Sequence, residues 1–362
     1  MKYMDSATFD NLRKVNSIHL LRGIIIILIV ICHCYGILWS SGICKKMGSN
    51  QSYFYFFSSL TLNWTVGFVL IAGYLFQHLS YKFKLKRYYL SKIKNVIIPY
   101  TVVSFVIFVF CYWDYINDNS IYQSFKKFFI EWKRGSLSIP FWFIPMITVI
   151  YLLAPILKFL SGKNLTTLSI ISFIFVSLYP RPHDGYKLLS ISLHFLPVYI
   201  IGMGIRQNHL NIMKIIKRNF FIIIMFFSVV LLLIATMYET IPNFSLRGVM
   251  YTPFKIMIFM LLLYFWDYTN SNFTKNKFNS ILSYIANISF PIFFIHYAIL
   301  ESIFYLFLKN NNYFQQVTQN CSGFLELIIG ITMALITLFL SIIVIEVVKK
   351  MTKNKSRYFI GC

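Results

Sequence analysis

Charged side chains are scarce in this chain of 362 residues: they make up 12% of the sequence, whereas hydrophobic residues make up 58%. A soluble domain carries about twice that charged fraction, so the composition excludes an ordinary soluble protein. Long polar stretches are lacking as well, which excludes a separate soluble domain between the apolar runs. We therefore expect a single integral membrane domain over residues 1–362.

Cysteine is also sparse, with six residues scattered along the chain. None of them has the spacing of a metal-ligand set and several lie inside predicted spans, so neither a disulfide framework nor a metal site is expected. The first apolar run is too long for the core of a signal peptide, and no small-residue cleavage site follows it. This run is predicted to remain as a membrane anchor.

Acidic residues are few: 11 Asp and Glu stand against 34 Lys and Arg, and the formal net charge is +23. In a soluble protein such an excess would suggest nucleic-acid binding. Here the basic residues lie at the ends of apolar runs, where they orient membrane helices. No nucleic-acid partner is therefore predicted, and membrane lipids are the expected surroundings.

Apolar runs long enough to cross about 30 Å of hydrocarbon recur along the whole chain. They predict an all-α integral membrane protein with about ten transmembrane helices in a single bundle, near residues 18–40, 54–77, 94–113, 141–160, 166–181, 190–206, 219–238, 250–268, 281–308 and 323–348. An even number of spans puts both termini on one side, and the segments on that side carry roughly two thirds of the Lys and Arg residues. Both termini are therefore predicted to be cytoplasmic.

The first apolar run contains two ionisable residues, Arg22 and His33, among isoleucines and leucines. Such groups cost on the order of 2 to 3 kcal/mol each at membrane depth, so they indicate a functional site. Eleven residues make about three helical turns, which places both side chains on one helix face roughly 16 Å apart. A snorkelling anchor also explains Arg22, and a hydrogen bond to a neighbouring helix also explains His33.

Five segments resemble, in the same order, motifs of the membrane acyltransferase family 3. They are residues 20–24 (LLRGI) followed by His33, 67–75 (GFVLIAGYL), 88–99 (YYLSKIKNVIIP), 141–143 (FWF) with 151–155 (YLLAP), and 288–296 (ISFPIFFIH). Together they span nearly the whole chain. Three positions depart from the family's pattern: His19 stands where an acidic residue is common, Ala72 where serine is usual, and Asn95 where an arginine is common.

The resemblance implies an O-acetyltransferase of the bacterial plasma (inner) membrane, which passes an acyl group, usually acetyl, from cytoplasmic acetyl-CoA to a glycan hydroxyl. The acceptor would be a cell-surface glycan or a lipid-linked oligosaccharide. His33 would act as general base or as transient acyl acceptor, because a neutral imidazole suits both roles. Arg22 would form the catalytic pair with His33 and would also hold the phosphates of the donor.

Other site residues follow from their positions in these motifs. Lys92 and Lys94 are predicted to contact the donor's phosphates, although the basic cluster around them also suits topology and lipid headgroups. The predicted substrate contacts are Tyr74, Trp142, His296 and Glu301. Tyr74 and Trp142 equally suit an aromatic belt at the membrane interface or the core. His296 and Glu301 equally suit a hydrogen-bonded pair at the membrane interface.

A transporter that exports a polysaccharide or an acyl group without covalent transfer is the main alternative, since buried polar residues in a helical bundle also suit a carrier. The sequence has no visible inverted repeat and no matching pair of helices broken by Gly or Pro, which disfavours transport. A polysaccharide polymerase or ligase is disfavoured because the longest predicted external segment, near residues 114–140, is short. The oligomeric state and the acceptor sugar stay open.

Overall fold

The computed structural model describes residues 6–40, 60–182, 187–220, 222–224, 226, 230, 244–269, 277–305 and 323–361. Over these residues the chain is helical and contains no strand. The α-helices, in chain order, are α1 Ser6–Ser40, α2 Thr65–Leu79, α3 Leu85–Lys92, α4 Ile98–Cys111, α5 Trp113–Asp118, α6 Ile121–Arg134, α7 Phe143–Leu157, α8 Gly162–Leu178, α9 Leu188–Gln207, α10 His209–Arg218, α11 Phe244–Thr269, α12 Lys277–Asn287, α13 Ser289–Ile303, α14 Gly323–Thr352 and α15 Ser356–Phe359.

Five helical segments of the described chain are long and apolar enough to cross a membrane: Asn16–Leu38, Leu85–Cys111, Ile139–Leu157, Leu188–Gln207 and Leu327–Thr352. The pair α12 and α13 adds a sixth if it is counted as one broken span, bent by 77°. The predicted class, an all-helical multi-pass membrane protein, is confirmed. The count of ten spans and the side of the termini stay predictions, and several predicted spans, such as 219–238, lie partly outside the described residues.

α1 lies at the centre of the bundle, where it contacts α2, α11, α12, α13 and α14. Gly23 allows α12 to approach closely, because a β-carbon at that position would lie 2.6 Å from the carbonyl oxygen of Leu282. Small residues commonly allow such backbone contact between membrane helices. The contact places Arg22, the preceding residue, beside the C-terminal end of α12.

A second glycine contact joins α2 to α9. A β-carbon at Gly73 would overlap the carbonyl group of Tyr199, and one at Gly202 would overlap the carbonyl group of Leu70. The two helix backbones are therefore in direct contact, and α2 also packs against α1.

Short elements gather at the end of the bundle that holds Arg22. A π-helical turn, Ile93–Ile97, joins α3 to α4, and such turns are frequent at functional sites. The segment after α14 folds back as a 3₁₀ turn, Lys353–Lys355, and the short helix α15, which packs against α4 and the π-helical turn. Ile360, the residue directly after α15, is buried, so the end of the described chain forms part of the bundle's wall.

The predicted external segment 114–140 folds as α5 and α6. A capping box begins α6, in which Ser120 Oγ accepts a hydrogen bond from the Gln123 amide and Gln123 Oε1 accepts one from the Ser120 amide. Gly135 ends the helix at φ 70°, a left-handed conformation that favours glycine. α6 is amphipathic, and Phe128 on its apolar face packs against the rings of Phe105 and Phe108 of α4.

Candidate active site

His33 of α1 faces two residues of α13. Its ring centroid lies 5.2 Å from that of His296 and 5.4 Å from that of Tyr297, which meets it edge to face. His33 is half-buried. Among the described residues it makes ring contacts but no hydrogen bond, so both ring nitrogens stay available to a substrate. The structure thus brings together two residues that the sequence assigned separately, His33 and His296.

The protonation pattern of His296 follows from its hydrogen bond. Its Nδ1 atom lies 2.8 Å from the carbonyl oxygen of Ile292, which can only accept, so Nδ1 donates. In a neutral imidazole the other nitrogen, Nε2, then carries a lone pair. Nε2 is buried without a hydrogen-bond partner in the described structure. His296 is therefore a second potential proton acceptor beside His33.

Arg181 approaches the histidine pair from the turn after α8. Its guanidinium carbon lies 4.4 Å from the ring centroid of Trp142, and it donates a hydrogen bond to Asn63 Oδ1. Arg181 interacts electrostatically with His33. Arg181 therefore lies between Trp142, a predicted substrate contact, and the histidine pair. Nothing in the sequence around residue 181 indicated this role for Arg181.

Glu301 lies on α13 one turn after Tyr297, and residues four apart share a helix face. The carboxylate acts electrostatically on Tyr297, whose ring contacts His33. Glu301 is half-buried. The predicted substrate contact is therefore near the histidine pair but separated from it by Tyr297, which the sequence analysis had not selected although it follows His296 directly.

Arg22 binds the C-terminal end of α12. Its Nε atom donates to the carbonyl oxygen of Ala286 at 3.0 Å, and a terminal nitrogen donates to the same oxygen. Carbonyl groups in the last turn of a helix lack partners within the helix and attract cations. Several N–H donors of the guanidinium remain, and the side chain lines a cavity.

This cavity has a volume of about 490 Å³. Its apolar walls come chiefly from α2, and α7 and α13 each add two aromatic residues. Five basic residues line it: Arg22, Lys82, Lys84, Arg87 and Lys92. None of the described residues that line it is acidic. Such a concentration of positive charge favours an anionic ligand.

The two predicted donor-binding lysines differ in position. Lys92 lines the cavity, and its Nζ atom lies 3.9 Å from the ring centroid of Tyr151 and 5.3 Å from that of Tyr88. Lys94 is exposed in the π-helical turn and is absent from the cavity lining. Only Lys92 is therefore placed with Arg22, and the role of Lys94 stays a prediction.

Residues after α14 complete the cavity wall. Gly361 lines the cavity beside Asn95, and Arg357 Nε donates to Asn95 Oδ1 at 2.7 Å. Asn95 Nδ2 in turn donates to Ser91 Oγ at 3.0 Å. Sequence reasoning missed Arg357, because the residues that meet here are far apart in the chain.

Tyr74 lies outside this cavity. It is fully buried, and its hydroxyl pairs with His209 Nδ1 at 3.1 Å. His209 Nε2 lies 2.5 Å from Asp267 Oδ2. The structure thus places Tyr74 in a buried polar network between α2, α10 and α11, and its predicted substrate contact stays untested.

The described residues contain no group of three or more His, Cys, Asp or Glu side chains that could hold a metal ion. Residues 15–346 match a family model described as an acyltransferase domain. The chain therefore belongs to the membrane acyltransferase family 3, as its five motifs predicted, and it is a membrane acyltransferase. No curated protein and no solved structure matches it.

Proposed function

We propose that this protein transfers an acetyl group from cytoplasmic acetyl-CoA to a hydroxyl group of a cell-surface glycan, in the plasma membrane of a bacterium. The cavity is the observation that supports this proposal. Five cations line it and none of its described lining residues is acidic, which suits a ligand with several phosphates. Coenzyme A carries such phosphates at one end and the thioester at the other. The acceptor would be a finished glycan or a lipid-linked oligosaccharide.

The donor would bind with its phosphates among the cations and its thioester pointing towards His33. Lys82, Lys84 and Arg87 lie at the exposed end of the cavity, whereas Arg22 is half-buried. The helical rise puts His33 roughly 16 Å beyond Arg22, which is on the scale of an extended pantetheine arm. A donor held at the basic residues can therefore present its thioester near the histidine pair.

In the proposed reaction the glycan hydroxyl oxygen attacks the carbonyl carbon of the thioester. His33 accepts the hydroxyl proton, because it is half-buried and its ring nitrogens have no hydrogen bond in the described structure. The carbon–sulfur bond then breaks, and the coenzyme A thiolate leaves and takes up that proton. His296 and Tyr297 orient the His33 ring through their contacts from α13.

The test is transfer of labelled acetyl groups from acetyl-CoA to glycan in membranes that contain the purified protein. His33→Ala should lower the turnover number at least about 100-fold, since it removes the general base. Ile31→Ala, a truncation on the same helix at nearly the same depth, serves as the control and should keep most of the activity. Transfer that is unchanged by His33→Ala would contradict the proposal.

The same assay separates an enzyme from a carrier. A carrier would move the acetyl group or the glycan across the membrane without forming a new ester. Mass spectrometry of the glycan distinguishes these outcomes, because covalent transfer adds one acetyl group to each modified sugar.

A further inference from the structure

Three phenylalanine rings from three different helices meet at the inner end of the cavity. Phe68 comes from α2, Phe143 from α7 and Phe293 from α13, and all three line the cavity. The ring centroid of Phe68 lies 6.3 Å from that of Phe143 and 6.4 Å from that of Phe293. The ring centroids of Phe143 and Phe293 lie 5.4 Å apart. Every pair is in contact range for aromatic rings, so the rings form a closed triangle.

The histidine pair adjoins the triangle at Phe293. The ring of Phe293 is 6.3 Å from that of His296, and His296 contacts His33. Neither histidine belongs to the cavity lining. Phe293, one ring of the aromatic triangle that it forms with Phe68 and Phe143, therefore separates the cationic cavity from the histidine pair.

We propose that the aromatic triangle is the gate through which the donor's thioester arm reaches the histidine pair, and that it keeps water out until the arm arrives. This inference rests on the proposed function for the identity of the donor. Phe143 and Phe293 are buried, whereas Phe68 is half-buried and has more room to rotate. Phe68 is therefore the ring that we expect to rotate when the triangle opens.

Exclusion of water has a chemical consequence. Water at the histidine pair would compete with the glycan: its oxygen would attack the thioester carbonyl, a proton would pass to histidine, and the carbon–sulfur bond would break. The products would be acetate and free coenzyme A in place of the glycan ester. A closed triangle suppresses this hydrolysis while the acceptor is absent, because it keeps both the thioester arm and the water of the cavity away from the histidine pair.

The gate is tested first by accessibility, which does not depend on catalysis. The six native cysteines are replaced by serine and His33→Cys is introduced, so that one thiol reports on access to the position of His33. A membrane-impermeant thiol reagent is applied to sealed vesicles from the side on which the cavity opens. Because close-packed rings block the path of the reagent, labelling of the introduced thiol should be slow while Phe68 is intact. Phe68→Ala should accelerate this labelling at least about tenfold.

Phe128→Ala is the matched control. Phe128 is also half-buried and also packs against two phenylalanine rings, but it lies on α6 away from the cavity. Phe128→Ala should leave the labelling rate unchanged. If Phe68→Ala does not fold, the smaller change Phe68→Leu should still accelerate labelling, and Phe68→Trp should slow it. Labelling that is equally fast with Phe68 intact would overturn the gate.

A second measurement uses the active protein with all histidines and cysteines restored. Without acceptor, Phe68→Ala should release free coenzyme A from acetyl-CoA several times faster than the unaltered protein does, while Phe128→Ala should not. Unchanged release from a Phe68→Ala protein whose labelling is accelerated would contradict water exclusion by the triangle. Complete absence of transfer in the unaltered protein would instead refute the donor assignment, and the labelling result would still decide whether the barrier exists.

Discussion

The Nε atom of Arg357 donates a hydrogen bond to the Oδ1 atom of Asn95 across 2.7 Å, although 262 positions separate the two residues. Asn95 lines the cationic cavity, and so does Gly361, four residues after the arginine. Arg357 is exposed and uses one N–H group on Asn95, which leaves several donors for a ligand at the cavity mouth. Arg357 itself is not part of the cavity lining, but its contact with Asn95 leads us to expect that it contributes to donor binding.

Arg357→Ala should raise the KM for acetyl-CoA about three- to tenfold, since an exposed charged contact to phosphate is worth less than a buried one. The turnover number should change little, because the reacting atoms lie at the other end of the donor. The effect should shrink at high salt, where exposed charges are screened. Arg218→Ala, which removes an equally exposed arginine at the end of α10, is the control.

The role of Asn95 is checked by combining substitutions. If Asn95 acts by holding Arg357, then Asn95→Ala and Arg357→Ala should raise the KM by similar factors, and the double variant should add little. Factors that multiply in the double variant would show that the two residues act independently.

The relative placement of Arg22 and His33 could be predicted from local sequence, because both residues lie on one helix and regular helical geometry fixes their separation. The Arg357 contact and the aromatic triangle depend on how separate helices pack, which no motif specifies. Asn95 was visible only as a departure from the family's pattern, and its partner could not be named. The charge pattern could not separate the donor site from topology signals, since both consist of lysines and arginines.

Lys92 and Lys94 illustrate a further limit. Both were assigned to the donor from one basic motif, yet residues two apart on a helix point to different sides. Only Lys92 lines the cavity. Lys92→Ala should therefore raise the KM for acetyl-CoA about tenfold, as expected for loss of a charged contact. Lys94→Ala, the matched control from the same turn, should change it less than about twofold; an equal effect of both would refute the placement.

Tyr74 provides a test that separates stability from binding. Tyr74→Phe removes the partner of His209 Nδ1 in a buried network, and an unsatisfied buried group costs about 1 to 3 kcal/mol. The variant should unfold at a lower temperature, while its KM values for donor and glycan stay unchanged. A higher KM for the glycan without loss of thermal stability would instead favour the sequence-based assignment of Tyr74 as a substrate contact.

Tyr297 is expected to act on catalysis through the orientation of His33. Its ring meets the His33 ring edge to face at 5.4 Å, and such contacts are worth about 0.5 to 1.5 kcal/mol, so Tyr297→Ala should lower the turnover number about two- to tenfold. Tyr297→Phe keeps the ring and should keep the activity. The KM for acetyl-CoA should stay constant in both variants, because Tyr297 is outside the cavity lining. Activity lost equally in both variants would show that the hydroxyl group, and not the ring, is the part that acts.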